Sequence, residues 1–153
     1  MVTACTREYG LQAELHSLPQ QEFKNIGVEI LSSSEIRASM KQRMERVKEK
    51  YQVNPNLWNR WQAWLADETY WPSQVGVKYG DVHPGHILID TNNRVMGLID
   101  WTEVGIGDVS VDFLSHQLLF GKAGLNKLID AYDNAGGNTW PRMAENICEG
   151  WYD

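Results

Sequence analysis

Apolar positions recur at helical spacing through most of the chain and switch to alternation only near its middle. Leu11, Leu15 and Leu18 make a short stripe that Pro19 stops, which predicts a helix tail within residues 1–18. Residues 19–31 read as a loop with extended pieces, of which Gly27-Val28-Glu29-Ile30-Leu31 has strand character. Ser32 stands three residues before Glu35, the arrangement of a capping box at a helix start. Ile36, Met40, Met44, Val47 and Tyr51 then fall on one face, while Arg37, Lys41, Arg43, Arg46, Lys48 and Lys50 take other positions. A basic amphipathic helix can bind anionic surfaces, but such a pattern more often marks a solvated face. Asn54-Pro55 opens the next helix, with proline in the first turn, where its missing N–H is harmless. Leu57, Trp58, Trp61, Trp64 and Leu65 form a broad stripe whose spacing suits a core face better than a stacking surface, and Pro72 ends the region.

Val75, Val77 and Tyr79 alternate and predict a strand. Ile87-Leu88-Ile89, the turn residues Thr91-Asn92-Asn93 and the run from Arg94 to Ile99 predict a hairpin over 87–99. Residues 102–107, with Gly105 and Gly107, read as loop. Asp108 can cap a helix to about Phe120 with Val111, Leu114, Leu118 and Leu119 inward. A further helix over 123–135 ends at Gly136-Gly137, and a last one follows Pro141. The expected fold class is therefore α+β and mostly helical, with helices packed around one hairpin.

Composition narrows this only slightly. A length of 153 residues, 42% apolar and 22% charged, suits one globular domain. There is no apolar run long enough to span a membrane, and the N-terminal residues lack the order of a signal peptide. Cys5 and Cys148 can pair, but two cysteines argue no disulfide framework, so a cytoplasmic location is expected. Charge changes the picture more. From Asp81 to Asp112 there are six acids against the single base Arg94, a net −5 within an overall −6. Such a segment repels nucleic acid and attracts cations, whether metal ions or cationic small molecules, although an acidic surface can also be merely solvated.

Two of these acids invite a chemical reading. Asp81 follows a strand and Gly80, and Asp100 ends the hairpin. A hairpin returns the chain, so His86 and Asp100 become neighbours, with Asp81 close by. Phosphoryl transfer needs a carboxylate near an acceptor hydroxyl and a metal site on the phosphates, and this layout can supply both. Capped or salt-bridged loop acids are the plainer alternative. Metal-dependent hydrolysis is a rival, since His83, His86, Asp81 and Asp100 are all ligand types, but the two histidines flank Pro84-Gly85 in a loop, off any helix face. The chain has no G-x-S-x-G elbow, Walker loop or C-x-x-C pair.

The stretch Tyr79-Gly80-Asp81-Val82-His83-Pro84-Gly85-His86-Ile87-Leu88 resembles the H-G-D-x-H-P-G-N-[IL]-L loop of the aminoglycoside phosphotransferase-like small-molecule kinases. Ile99-Asp100-Trp101 resembles their I-D-[WF] motif, and Gly107-Asp108 with Asp112-Phe113-Leu114 resembles their G-D-P-x-x-D-[LI]-[AS] segment. His86 in place of asparagine, with Asp100-Trp101-Thr102-Glu103, is most similar to the macrolide 2'-phosphotransferase branch. Leu15-His16-Ser17-Leu18-Pro19 is similar to a segment just after the hinge of such kinases. Two positions depart from the pattern: Tyr79 replaces histidine and Val109 replaces proline.

The resemblance implies the C-terminal, mostly helical lobe of a protein-kinase-like fold. It implies Asp81 as catalytic base, His86 and Asp100 as ligands of Mg2+, and Asp112 as a brace of the catalytic loop through backbone hydrogen bonds. It implies GTP or ATP as phosphate donor, GTP favoured, and a macrolide hydroxyl as acceptor, which would confer antibiotic resistance. A macrolide's dimethylamino cation suits an acidic lobe. An aminoglycoside or homoserine/choline-type kinase and a non-catalytic interaction remnant are the alternatives. No Gly-rich phosphate loop precedes Gly80, so residues 1–153 are expected to be a partial lobe, without the sheet lobe over the nucleotide and without the last helices. Weak or absent activity is expected of these residues alone.

Overall fold

The structure, a computed structural model, describes residues 5–92 and 94–149. Its elements run in the order α1 (Cys5–His16), α2 (Gln20–Asn25), β1 (Glu29–Ile30), α3 (Ser33–Lys50), α4 (Pro55–Ala66), β2 (Gly76–Lys78), β3 (Ile87–Ile89), β4 (Val95–Leu98), β5 (Gly105–Gly107), α5 (Leu114–Asn134) and α6 (Met143–Glu149). Short 3-10 turns cover Glu68–Tyr70, Pro84–His86 and Val109–Phe113. The mixed, mostly helical α+β class is as expected. The Cys5 side chain, and with it any pairing to Cys148, lies outside what is described.

Local chemistry starts the central helices. Ser32 accepts the Glu35 N–H while Glu35 Oε2 accepts the Ser32 N–H at 2.8 Å, closing the capping box of α3. Asn54 caps α4 through the Asn56 N–H, with Pro55 as first residue. Met44, Trp64, Leu65 and Trp71 then bury one another in a cluster between α3 and α4. The far end of the α3 stripe does not join it: Val47 and Tyr51 are exposed, because α3 outruns the surface it packs on. Lys48 lies over the Trp58 ring at 3.9 Å, so one expected solvated base covers an aromatic face.

The second cluster joins α1, α5 and α6 through Ala13, Val109, Phe113, Leu125, Leu128, Tyr132, Met143 and Ile147. Here one expectation needs correction. The residues after Asp108 begin as a 3-10 turn, and the inward side chains are Val109 and Phe113, while Leu118 and Leu119 are exposed. The 3-10 turn rotates the following helix away from the simple helical register, so the apolar residues of its first turns face outward. The two helices expected over 108–135 are both present: the helical span of α5 is broken at Gly121, whose φ of 65° and ψ of −172° are not helical.

Residues 102–107 are also corrected. Gly105–Gly107 form β5, the middle strand of a three-stranded sheet, parallel to β1 and antiparallel to β2. Ile106 pairs with Val77 on one side and Ile30 on the other, and is buried with Val77, Tyr79 and Leu15. A Cβ at Gly105 would meet Glu29 O at 3.0 Å, so glycine lets β1 approach. The hairpin forms as expected, β3 against β4, with Ile87 opposite Leu98 and a register shift after Leu88. Its outer residues Leu88, Ile89 and Met96 stay exposed. No helix among the described residues is long and apolar enough to cross a membrane.

Candidate active site

The site begins where β2 leaves the sheet. Tyr79 is fully buried, and Gly80 turns the chain with φ +95°. A Cβ at Gly80 would sit 2.5 Å from Glu103 O, so only glycine brings the loop this close to the segment after Asp100. The two N–H groups at this turn have one acceptor. Asp112 takes the Tyr79 N–H at 2.8 Å on Oδ2 and the Gly80 N–H at 2.7 Å on Oδ1. Its Oδ2 also accepts from His16 Nε2 at 2.9 Å. The other ring nitrogen of His16 lies 2.9 Å from the Tyr132 hydroxyl, whose pKa burial pushes up to about 12. A tyrosine that holds its proton donates to Nδ1, which leaves Nε2–H for Asp112. The buried carboxylate thus has three donors, as an acid out of water requires.

Outside this brace, the loop presents its chemistry to solvent. The Asp81 carboxylate is half exposed, with Oδ2 3.5 Å from His86 Nδ1 and 3.7 Å from His83 Nε2. His86 Nδ1 also lies 3.1 Å from the Asp81 backbone carbonyl, an acceptor only, so Nδ1 carries the proton. That puts the lone pair on Nε2, 3.8 Å from Asp100 Oδ2. The Gly85 N–H donates to His83 Nδ1 at 3.1 Å, and His83 Nε2 sits 3.1 Å from His86 Nε2.

Asp100 is held by backbone and side chain together. It adopts φ +62°, uncommon for a residue other than glycine but tolerated by aspartate. Thr102 donates to its Oδ1 from Oγ1 at 2.7 Å and from its N–H at 3.4 Å. These bonds hold the Asp100 carboxyl below the usual carboxylate range, with smaller help from His86 and His83, so it is ionised. Tyr79 closes the arrangement: its hydroxyl donates to the Ile99 carbonyl, tying the loop to the residue before Asp100, and its ring meets Trp101 edge-on at 5.1 Å. Burial, then the acids Asp100, Asp81 and Asp112, raise the Tyr79 hydroxyl pKa, which keeps it a donor.

The structure therefore brings Asp81, His86 and Asp100 to one mouth and places Asp112 behind them. His86 Nε2 and Asp100 Oδ2, 3.8 Å apart, are the groups that would hold a magnesium ion here. The carboxylate is the hard donor such an ion prefers, and the imidazole is a softer one. Next to the loop lies a cavity of about 320 Å3 walled by His83, Pro84, Ile87, Leu98, Leu119 and Phe120. Reasoning from residues alone missed His16 and Tyr132 as part of the brace. A lone histidine before Pro19 carries no signal of its partner 96 positions away.

The profile of the phosphotransferase enzyme family matches residues 8–145. An uncharacterized protein of Bacillus subtilis (strain 168), YcbJ, is 42% identical over 137 residues, which cover 90% of this chain and 45% of that protein. Macrolide 2'-phosphotransferase type I superposes with a TM-score of 0.85 at 36% identity, over 95% of this chain and 48% of that one. The apoenzyme of macrolide 2'-phosphotransferase MphH from Brachybacterium faecium gives 0.83 at 31% identity, over 96% of this chain and 51% of that one. The chain thus spans about half the length of the relatives it matches.

Proposed function

We propose that this chain, which belongs to the phosphotransferase enzyme family, carries the catalytic-loop half of a kinase that phosphorylates a hydroxyl of a macrolide antibiotic. One observation carries the reading: Asp81, His86 and Asp100 meet at the mouth of a loop whose two N–H groups are anchored by a buried aspartate. In this reading Asp81 orients the acceptor hydroxyl and takes its proton as the phosphoryl group transfers. His86 and Asp100 hold a magnesium ion, which when bound neutralises phosphate charge on the nucleotide. Asp112 positions the loop and touches neither substrate. GTP is the favoured donor over ATP, and drug resistance in the cytoplasm is the expected consequence. The names of the two macrolide enzymes, at 31–36% identity, support a macrolide over an aminoglycoside acceptor.

In this reading, residues 1–153 supply the helical lobe, and the strands that cover a nucleotide come from outside them. The exposed apolar hairpin residues Leu88, Ile89 and Met96 are then the floor of the nucleotide cleft. The same exposed face also fits a second reading, a non-catalytic module that binds a partner there. The test is a chimera in which this chain replaces the corresponding half of macrolide 2'-phosphotransferase type I. Transfer of radiolabelled phosphate from GTP to a macrolide is expected. Asp81→Asn should lower it by about a hundredfold or more, and Asp100→Ala should abolish binding of the magnesium-nucleotide and with it the transfer. A folded chimera that phosphorylates neither macrolides nor aminoglycosides would favour the module. Robust turnover by the 153 residues alone would overturn the half-enzyme reading.

A further inference from the structure

The loop holds two imidazoles where phosphotransfer uses one. His83 Nε2 and His86 Nε2 lie 3.1 Å apart, with ring centroids at 3.7 Å. Asp81 Oδ2 is 3.7 Å from His83 Nε2, and Asp100 Oδ2 is 3.8 Å from His86 Nε2. Ligand atoms of Asp81, His83 and His86 all fall within 4.8 Å of one another. Two nitrogens bound tetrahedrally to one zinc ion at 2.0–2.1 Å lie about 3.3 Å apart, close to the observed pair. We propose that Asp81, His83 and His86 form a binding site for a divalent transition metal of the zinc type, with Asp100 placed to add a fourth ligand.

The donor set carries the argument. Imidazole nitrogen suits zinc, copper and nickel, whereas magnesium takes oxygen. An asparagine at position 86 would offer an oxygen; His86 turns the same position toward a softer ion and sets a second imidazole beside that of His83. A hydrogen bond between the rings is the competing arrangement. With the Gly85 N–H on His83 Nδ1, the proton of neutral His83 lies on Nε2 and points at His86 Nε2. Metal binding moves that proton to Nδ1 and frees Nε2. The Gly85 N–H then loses its acceptor, but Gly85 is exposed and water replaces it. His86 needs no rearrangement, since its Nδ1 proton stays on the Asp81 carbonyl. The site does not rest on the phosphotransfer reading. Where phosphotransfer occurs, zinc and magnesium-nucleotide exclude each other, because both need His86.

The experiment titrates the full chain with zinc chloride, following heat by calorimetry and the ring resonances of its four histidines by NMR. One zinc per chain should bind in the micromolar range. The His83 and His86 resonances should move while buried His16 stays in place. Cobalt in place of zinc should give visible ligand-field bands, and millimolar magnesium should not displace the ion. His83→Asn should weaken zinc binding about tenfold or more. No uptake at millimolar zinc, an unchanged affinity in both His83→Asn and His83→Ala, or shifts confined to His16 and His116 would overturn the site. The NMR result on the unaltered chain decides the question even where a variant fails to fold.

Discussion

Asp112 and Asp100 come from the same acidic stretch but are held in opposite ways. The Asp112 side chain is wholly buried and accepts three hydrogen bonds, two from the loop backbone and one from His16. Asp100 and Asp81 are half exposed, and each keeps an oxygen turned toward His86. The difference separates positioning from chemistry. Burial and full hydrogen bonding fix the backbone from behind, so the groups in front need no burial of their own and stay open to ions and substrate. Exposed groups on a rigid support make a site that is accessible without being loose.

The largest effect should therefore come from the residue with no chemistry. Asp112→Ala strands the Tyr79 and Gly80 N–H groups and the His16 ring in a dry interior, which should cost about 3–5 kcal/mol. That is much of a domain's whole stability. Asp81→Ala, at a solvent-exposed position, should stay within about 0.5 kcal/mol, and Asp100→Ala should cost about 1 kcal/mol, because alanine tolerates left-handed backbone less well than aspartate. Urea unfolding of the three variants measures the contrast. Equal losses would show that the open cluster, and not only the brace, holds the fold together.

Tyr79 links the two regions, so its variant sharpens the boundary between them. It stands where the resembling family has histidine, and the structure shows what the larger side chain does: its ring fills the core and its hydroxyl reaches the Ile99 carbonyl beside Asp100. Tyr79→Phe keeps the ring and removes one hydrogen bond, which should cost about 1 kcal/mol. Amide exchange at Asp100 and Trp101 should quicken while exchange at Gly80, held by Asp112, stays slow. Faster exchange at Gly80 as well would mean that Tyr79 belongs to the brace rather than bridging from it.

Legibility in the sequence followed the range of the interaction. The capping box at Ser32, the proline start at Asn54-Pro55 and the hairpin over 87–99 are local, and each formed where the pattern placed it. The loop from Gly80 to His86 carries its geometry in adjacent residues as well. β5 was read as loop because Gly-Ile-Gly has little strand preference; its pairing comes from β1 and β2, which lie far away in sequence. The outward turn of Leu118 and Leu119 follows from a 3-10 start that no periodicity announces. Short α2, Gln20–Asn25, lacks an apolar stripe long enough to register. The His16–Asp112–Tyr132 chain was invisible because polar partners in a core are chosen by the fold, not by spacing.

The smallest expected effect tests the rule that a buried acid is tolerable only when fully hydrogen-bonded. Asp108 is buried like Asp112, but among the described residues its hydrogen bonds come from Ser110, including the N–H at 2.9 Å. Burial raises its pKa above the usual carboxylate value, against the lowering by Ser110, and nearby Asp112 adds to the rise. An acid with a raised native pKa binds more protons folded than unfolded. Its contribution to stability is therefore present at low pH and is lost as pH rises through the native pKa. Asp108→Asn keeps a good cap for the Ser110 N–H and removes the buried charge. It should stabilise the chain by less than about 1 kcal/mol at neutral pH. The gain should shrink as pH falls through the native pKa of Asp108, where the aspartate itself becomes neutral. Urea unfolding at neutral and acidic pH gives both values. Destabilisation at neutral pH would mean that Asp108 is used as an anion, and would place it with Asp112 rather than between the two regions.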